Sequence, residues 1–276
     1  MVMKKVLSVL ALVVVLSLWT NAQGSLQASI VIKNSSGTIV YTGARASLLW
    51  TENFVGKQIV PSGGLYPTVS PFSVPNHLND ASLSGIGELV SDSYYGTVLH
   101  NYVPDGNPEV HRMEFDLDIG SLTEYYMTLR YKLPADYTLT QNSPGYTGWH
   151  EIFDAVDEWA SDNLMGFKIK LWMLEGGKMQ LRGDHGIPQQ NVWATPVIDY
   201  WPPLGEWFTL KVHLMRHPTV GRVTVWINDD LLFDVSGVMT AERSEYLVLT
   251  AKVYGGYMAH KAIYCAGIEM YTTYTG

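Results

Sequence analysis

Along most of the chain apolar and polar positions alternate with a period of two, in short runs separated by turn residues. Residues 112–118 set Met113, Phe115 and Leu117 on one face and Glu114, Asp116 and Asp118 on the other, while 127–133 set Met127, Leu129, Tyr131 and Leu133 against Thr128, Arg130 and Lys132. The same pattern opposes Phe167, Ile169, Leu171 and Met173 to Lys168, Lys170 and Trp172, and Phe208, Leu210, Val212 and Leu214 to Thr209, Lys211 and His213. Each run predicts a strand with one buried and one wet face. Residues 222–227 and 231–235, joined across Asn228-Asp229-Asp230, predict a tight hairpin, because Asn and Asp tolerate the positive φ of such turns. Residues 246–254 and 262–271 complete the set. The one segment read as a helix or a loop is 152–161, an acidic stretch carrying Asp154, Asp157 and Glu158. Residues 56–87, rich in Pro, Gly, Ser and Asn, predict long loops over one end of a sandwich.

The N-terminus adds a compartment to this picture. Lys4 and Lys5 precede an apolar run at 6–19 and the small-residue stretch Thr20-Asn21-Ala22. This is the layout of a secretory signal peptide cut after Ala22, the alternative being an uncleaved N-terminal anchor. The run is shorter than the roughly 20 residues a membrane-spanning helix needs. After cleavage the expectation is a secreted protein with no membrane contact. Residues 23–45 read as an edge hairpin or stalk, with a glycosylation sequon at Asn34-Ser35-Ser36, and 46–276 as one all-β domain. The single cysteine, Cys265, forms no intrachain disulfide, so stability has to come from core burial, and Cys265 itself falls at a core position.

Charge and composition narrow the partners. With 18 basic and 26 acidic residues and a net charge of −8, the chain has no basic run to hold a nucleic-acid backbone. The 9 Trp and 17 Tyr outnumber the 7 Phe, and Trp and Tyr join a flat apolar face to a hydrogen-bonding edge, which is what a sugar ring asks for. Zinc-ligand spacing, a phosphate-binding glycine loop, a serine nucleophile elbow and a dinucleotide fingerprint are all missing from the sequence, which removes most other enzyme classes.

Several motifs follow one another in a familiar order. These are His111-Arg112-Met113-Glu114-Phe115, then Tyr126-Met127-Thr128-Leu129-Arg130-Tyr131-Lys132-Leu133-Pro134, then Trp149-His150-Glu151-Ile152. Gly205-Glu206-Trp207, Val223-Thr224-Val225-Trp226-Ile227-Asn228-Asp229 and Lys252-Val253-Tyr254-Gly255-Gly256-Tyr257 come after them. Across 108–271 this order resembles the jelly-roll polysaccharide lyases of the heparinase and alginate-lyase type, and more loosely the concanavalin-like glucanases and laminin-G-like modules. The chain departs from the lyases in having no Gln-Ile-His and in the order of glycine and tyrosine after Lys252. The fold this implies is an all-β, concanavalin A-like jelly-roll sandwich of two antiparallel sheets, facing a polysaccharide.

The resemblance implies a chemistry as well. A lyase that removes the proton beside a uronate carboxylate needs a base, an acid for the leaving oxygen, and a cation to hold the carboxylate. Under that reading His150 is the base and Tyr254 or Tyr257 the acid. Substrate is held by Arg112, Glu114, Arg130, Lys132, Lys170, Trp172 and Lys252, arginine being the better fork for a carboxylate. An alternative for Arg112 and Glu114 is simple pairing with Arg130 and Lys132 across one sheet. A non-catalytic carbohydrate-binding or surface-structural module explains the aromatics equally. A glucanase-type hydrolase would draw on Glu151, Asp154, Asp157 and Glu158, whose spacing departs from the alternate residues such enzymes use. No metal or cofactor is required, although a structural calcium at an Asp154 to Asp157 loop would be in character for the superfamily.

Overall fold

In the computed structural model the described residues, all strand, turn or irregular and without a helix, are 13–20, 26–33, 39–42, 45–55, 58–59, 65–66, 86–103, 111–118, 122–139, 148–157, 168–185, 190–242, 246–255 and 261–274. In chain order the strands are β1 (Val13–Thr20), β2 (Leu26–Lys33), β3 (Ile39–Thr42), β4 (Arg45–Glu52), β5 (Gln58–Ile59), β6 (Leu65–Tyr66) and β7 (Ile86–Asp92). Next come β8 (Gly96–Val103), β9 (His111–Asp118), β10 (Glu124–Lys132), β11 (Trp149–Asp157), β12 (Lys168–Leu174), β13 (Lys178–His185) and β14 (Gln190–Ala194). The last are β15 (Ile198–Asp199), β16 (Trp207–Met215), β17 (Gly221–Ile227), β18 (Asp230–Val238), β19 (Tyr246–Gly255) and β20 (Lys261–Tyr274).

The chain divides into two compact units, Met1–Trp50 with Met270–Gly276, and Thr51–Glu269. In the first, β2 pairs antiparallel with β1, β3 and β4, so part of the N-terminal apolar run is a strand.

The second unit is the jelly-roll sandwich of two antiparallel sheets. One sheet runs β18-β17-β16-β10-β20, with β8 on β20 and β7 on β8. The other runs β14-β13-β12-β11-β19-β9, with β15 on β13. The alternation read from the sequence at 127–133, 168–173 and 208–214 fills part of the space between them, and further apolar residues fill the rest. Tyr125, Met127, Leu129 and Tyr131 of β10 and Phe208, Leu210 and Val212 of β16 are buried, as are Phe153, Ala155, Ile169, Leu171, Met173, Met179 and Leu181 of the other sheet. Each Leu, Ile, Val, Phe or Met among them contributes roughly 1.5–3 kcal/mol by leaving water. The sheets also touch through hydrogen bonds. Ala251 N donates to Tyr131 Oη at 2.6 Å, and Asn101 Nδ2 donates to Ala251 O at 2.8 Å. Cys265 is a buried free thiol, and burial pushes it up to about 12.

The β17–β18 hairpin forms as expected, with Asn228 and Asp229 at φ of 50° and 71° between Ile227 and Asp230. Three expectations are corrected. The segment read as helix or loop at 152–161 is strand through Asp157, with 158–161 outside the described residues. Its two-residue period is hidden because both faces of β11 are buried and the strand is bulged. The loops expected at 56–87 contain the paired strands β5 and β6 and the start of β7, the rest lying outside the described residues. Finally, β9 pairs with β19 and belongs to the opposite sheet from β10, so Arg112 and Glu114 do not stand across a ladder from Arg130 and Lys132.

Candidate functional site

Two bulges shape the outer face of the β9-β19-β11-β12-β13-β14 sheet. In β11 the register shifts just after Glu151, between it and Phe153 against β12 and between it and Asp154 against β19. Glu151 then stands opposite Trp172, and Asp154 opposite Lys170. Trp172 and Lys170 are two residues apart on one strand, so Glu151 and Asp154, three apart in sequence, share one face. In β19 the register shifts between Thr250 and Val253, with Ala251 in the left-handed region at φ 46°. Such a conformation costs a residue with a β-carbon of order 1–3 kcal/mol and persists only where its surroundings hold it. Here Tyr131 and Asn101 hold both backbone groups of Ala251, and His150 Nε2 lies 2.8 Å from Lys252 O.

Fixed in this way, Lys252 Nζ lies 2.8 Å from Glu151 Oε2 and 2.9 Å from Asp154 Oδ2. Lys170 Nζ donates to Glu151 Oε1 at 2.6 Å and lies 3.7 Å from Asp184 Oδ2, and Arg182 Nη2 donates to Asp184 Oδ1 at 2.9 Å. Glu151, Asp154, Asp184, Lys170 and Lys252 are all essentially buried. Burial by itself would raise the Glu151 carboxyl, but the ammonium groups of Lys252 and Lys170 outweigh it and bring it down to about 2. Beside this network Trp149 and Trp172 stack with ring centroids 4.8 Å apart, and the Arg182 guanidinium lies 4.3 Å from the Trp172 ring centre. Trp172 Nε1, Asp154 Oδ1 and Arg182 Nε are buried polar atoms without a hydrogen-bond partner among the described residues. Such atoms call for a polar ligand or water.

Backbone register extends the row. Arg112 of β9 pairs with Tyr254 of β19, Tyr254 with Glu151, Glu151 with Trp172, and Trp172 with Gln180 of β13. Of the residues singled out in the sequence, Arg112, Tyr254, Lys170, Trp172 and Lys252 therefore come together on this sheet. Glu114 is on β9 as well, and Tyr257 lies outside the described residues. Arg130 and Lys132 are on β10 in the other sheet, where Arg130 pairs with Glu269 at 2.7 Å and Lys132 with Asp92 at 2.9 Å.

His150 is placed differently from its expected role. It stands opposite Met173, on the core side of the sheet, and is fully buried. A carbonyl can only accept, so Nε2 carries the proton to Lys252 O, leaving Nδ1 to accept from the Tyr137 hydroxyl. Burial pushes the Tyr137 phenol well above its ordinary value, which keeps it a donor. The Asp154 to Asp157 segment does not suit calcium. It is strand rather than loop, Asp154 Oδ2 is held by Lys252, and Asp157 Oδ2 accepts from Glu242 N at 2.6 Å. Arg182, Asp184 and Trp149 are the site residues that sequence reasoning passed over. The alternation of Met179 and Leu181 with Gln180, Arg182 and Asp184 was a signal that could have found two of them.

Neither a family model nor a curated protein matches the chain. Solved structures share its fold, among them two carbohydrate-active enzymes. Endo-β-1,4-glucuronan lyase from the fungus Trichoderma reesei has a TM-score of 0.53 at 11% identity, over 74% of this chain and 92% of that one. The GlcNAcα1-4Gal releasing endo-β-galactosidase from Clostridium perfringens has a TM-score of 0.52 at 12% identity, over 87% of this chain and 66% of that one. The chain thus shares the jelly-roll sandwich fold of these two structures.

Proposed function

We propose that this protein is a polysaccharide lyase that takes a uronate-containing chain along the outer face of the β9-β19-β11-β12-β13-β14 sheet and cleaves it by β-elimination. The observation that carries the reading is the register row Arg112, Tyr254, Glu151, Trp172, Gln180, with Lys252 beside it. The Trp149–Trp172 stack offers a platform for sugar rings, and Arg112 a fork for the uronate carboxylate. With both nitrogens of His150 occupied, the proton transfers fall to a tyrosine. As phenolate, Tyr254 takes the proton from C5, the C4–O4 bond breaks as the C4=C5 double bond forms, and the phenol returns the proton to O4. The glucuronan lyase among the similar folds supports a uronate substrate. Export with cleavage after Ala22 belongs to the same reading, and the intact mass of the protein recovered outside the cell tests it.

A hydrolase fits the electrostatics less well. Its acid must be protonated at working pH, whereas Glu151 is brought down to about 2 and Asp154 binds the same ammonium group. A binding module is the second reading, favoured by the mutual neutralisation of Lys170, Lys252 and Arg182 with three carboxylates. Absorbance at about 235 nm, where the unsaturated product absorbs, separates the two on a panel of uronate polysaccharides. The lyase reading expects a rise that falls by at least about 100-fold in Tyr254→Phe, with binding and thermal midpoint retained. A flat trace from the wild type that still binds the polysaccharide leaves the module.

A further inference from the structure

The outer face of the other sheet carries a second aromatic site that the proposed cleavage does not use. Glu88, His100 and Tyr264 stand in one register row across β7, β8 and β20. The His100 ring stacks on Tyr264 with centroids 4.2 Å apart at 8°, and on Tyr102 at 4.8 Å and 17°. Next to this stack Lys132 Nζ lies 4.9 Å from the Tyr264 ring centre and 4.7 Å from that of Trp207. Tyr95 meets Trp207 edge-on at 4.9 Å, and Tyr94, 80% exposed, continues the aromatic band outward. The band borders a depression of about 620 Å³ lined by Glu88, Asp92, His100, Lys132, Ala135 and Tyr264 among others. That volume lies within the range of small-molecule sites, roughly 300–1,000 Å³.

The charges here are already committed. Lys132, the one ammonium group of the lining among the described residues, is bonded to Asp92 at 2.9 Å and capped by two rings, and His100 Nδ1 is bonded to Glu88 Oε1 at 3.0 Å. Among the described residues the depression is lined by the His100 and Tyr264 rings and the Glu88 and Asp92 carboxylates, with Lys132 and small or aliphatic side chains between them. Carboxylates accept hydrogen bonds from sugar hydroxyls and repel a uronate. We infer that this depression is a second polysaccharide-binding site, selective for neutral, hydroxyl-rich glycan, on the face of the sandwich opposite the proposed cleavage groove. It would hold a mixed polymer or its neutral neighbours while the groove engages the acidic part. The inference rests on the protein being glycan-directed, but not on its being a lyase.

Affinity electrophoresis of the full chain tests it, in gels containing mixed-linkage β-glucan, galactomannan, xylan or alginate. Retardation by at least one neutral polysaccharide is expected, weakened at least about ten-fold by Tyr264→Ala and unchanged by Trp172→Ala in the groove. Ala135 is exposed, so Ala135→Arg fills the depression without touching the core and should act like Tyr264→Ala. Neutral retardation that survives Ala135→Arg overturns the site. Absence of retardation in every neutral gel overturns it as well, even when alginate still retards the protein through the groove and the lyase reading stands. Retardation by alginate that Ala135→Arg abolishes overturns the neutral selectivity.

Discussion

Strands β10 and β11 are equal in length and lie in opposite sheets, yet they treat their polar residues in opposite ways. In β10 buried and half-buried positions alternate without a break, and the outward groups, such as Lys132 with Asp92, remain in reach of water. In β11 everything after Trp149 is buried, including His150, Glu151, Asp154 and Asp157. A regular pleat gives one dry and one wet face. A bulged strand between two partners can bring charges to a face that is then covered, provided the charges neutralise one another. The lesson is energetic: charge pairs on β10 cost little to make and hold little together, whereas those on β11 must be complete or the sheet suffers.

Removing one member of the buried network is therefore the most damaging change. Lys252→Met leaves Glu151 with Lys170 alone and strips Asp154 of its ammonium partner. A loss of about 3–5 kcal/mol is expected in urea unfolding, because breaking a buried pair leaves an uncompensated charge. The double variant Lys252→Met, Asp154→Leu should recover much of it. If the single variant costs no more than Lys132→Met, its counterpart on β10, the distinction between the two faces collapses.

Acid sharpens the same comparison. The Glu151 carboxyl is lowered in the folded state from an ordinary 4.5 to about 2, so its contribution is present above pH 4.5 and is lost as the pH falls from there towards 2. At roughly 1.4 kcal/mol per pH unit the limb amounts to about 3 kcal/mol as a ceiling. Glu151→Gln should begin less stable at neutral pH and lose less between pH 4.5 and 2. An unchanged acid limb in that variant would place the titration elsewhere.

How much of this could be read in advance follows from the same contrast. The strands at 127–133, 168–173 and 208–214 were visible because each has one continuous apolar face, and the 228–229 turn because Asn and Asp accept positive φ. Alternation says nothing about what covers the polar face, so Lys170 read as wet although it is buried. It is equally silent on which sheet a strand joins, so Arg130 and Lys132 were grouped with Arg112 when only Arg112 shares a sheet with Lys252. The β11 bulge escaped notice for a further reason. One extra residue turns an alternate spacing of Glu151 and Asp154 into a spacing of three, which imitates a helix face. His150 misled because a histidine beside a tryptophan looks the same whether it faces ligand or carbonyl.

Between the buried network and the surface lies the clamp on the β19 bulge. Tyr131→Phe removes the acceptor for Ala251 N and leaves a buried amide unpaired, at an expected cost of about 1–3 kcal/mol. Because the bulge aims Lys252, the variant should also weaken polysaccharide binding at the groove while leaving the β10 face unaffected. Equal stability of Tyr131→Phe and wild type would mean that Asn101 and His150 suffice to hold the turn.

The smallest effect is expected where geometry is good and water is near. Arg222 Nε and Nη2 donate to the two carboxylate oxygens of Asp234 at 2.9 and 2.8 Å across the β17–β18 ladder, as favourable a fork as any pair in the buried network. The two side chains are 44% and 40% exposed, however. A double-mutant cycle on Arg222→Ala and Asp234→Ala should give a coupling of about 0.2–1 kcal/mol. That coupling should shrink further at 1 M salt, where charges are screened beyond roughly 3 Å. The same salt should leave the cost of Lys252→Met almost unchanged, since Glu151 and Asp154 are out of reach of mobile ions. A coupling at Arg222–Asp234 as large and as salt-resistant as the buried one would show that pairing geometry, and not burial, separates the two kinds of strand.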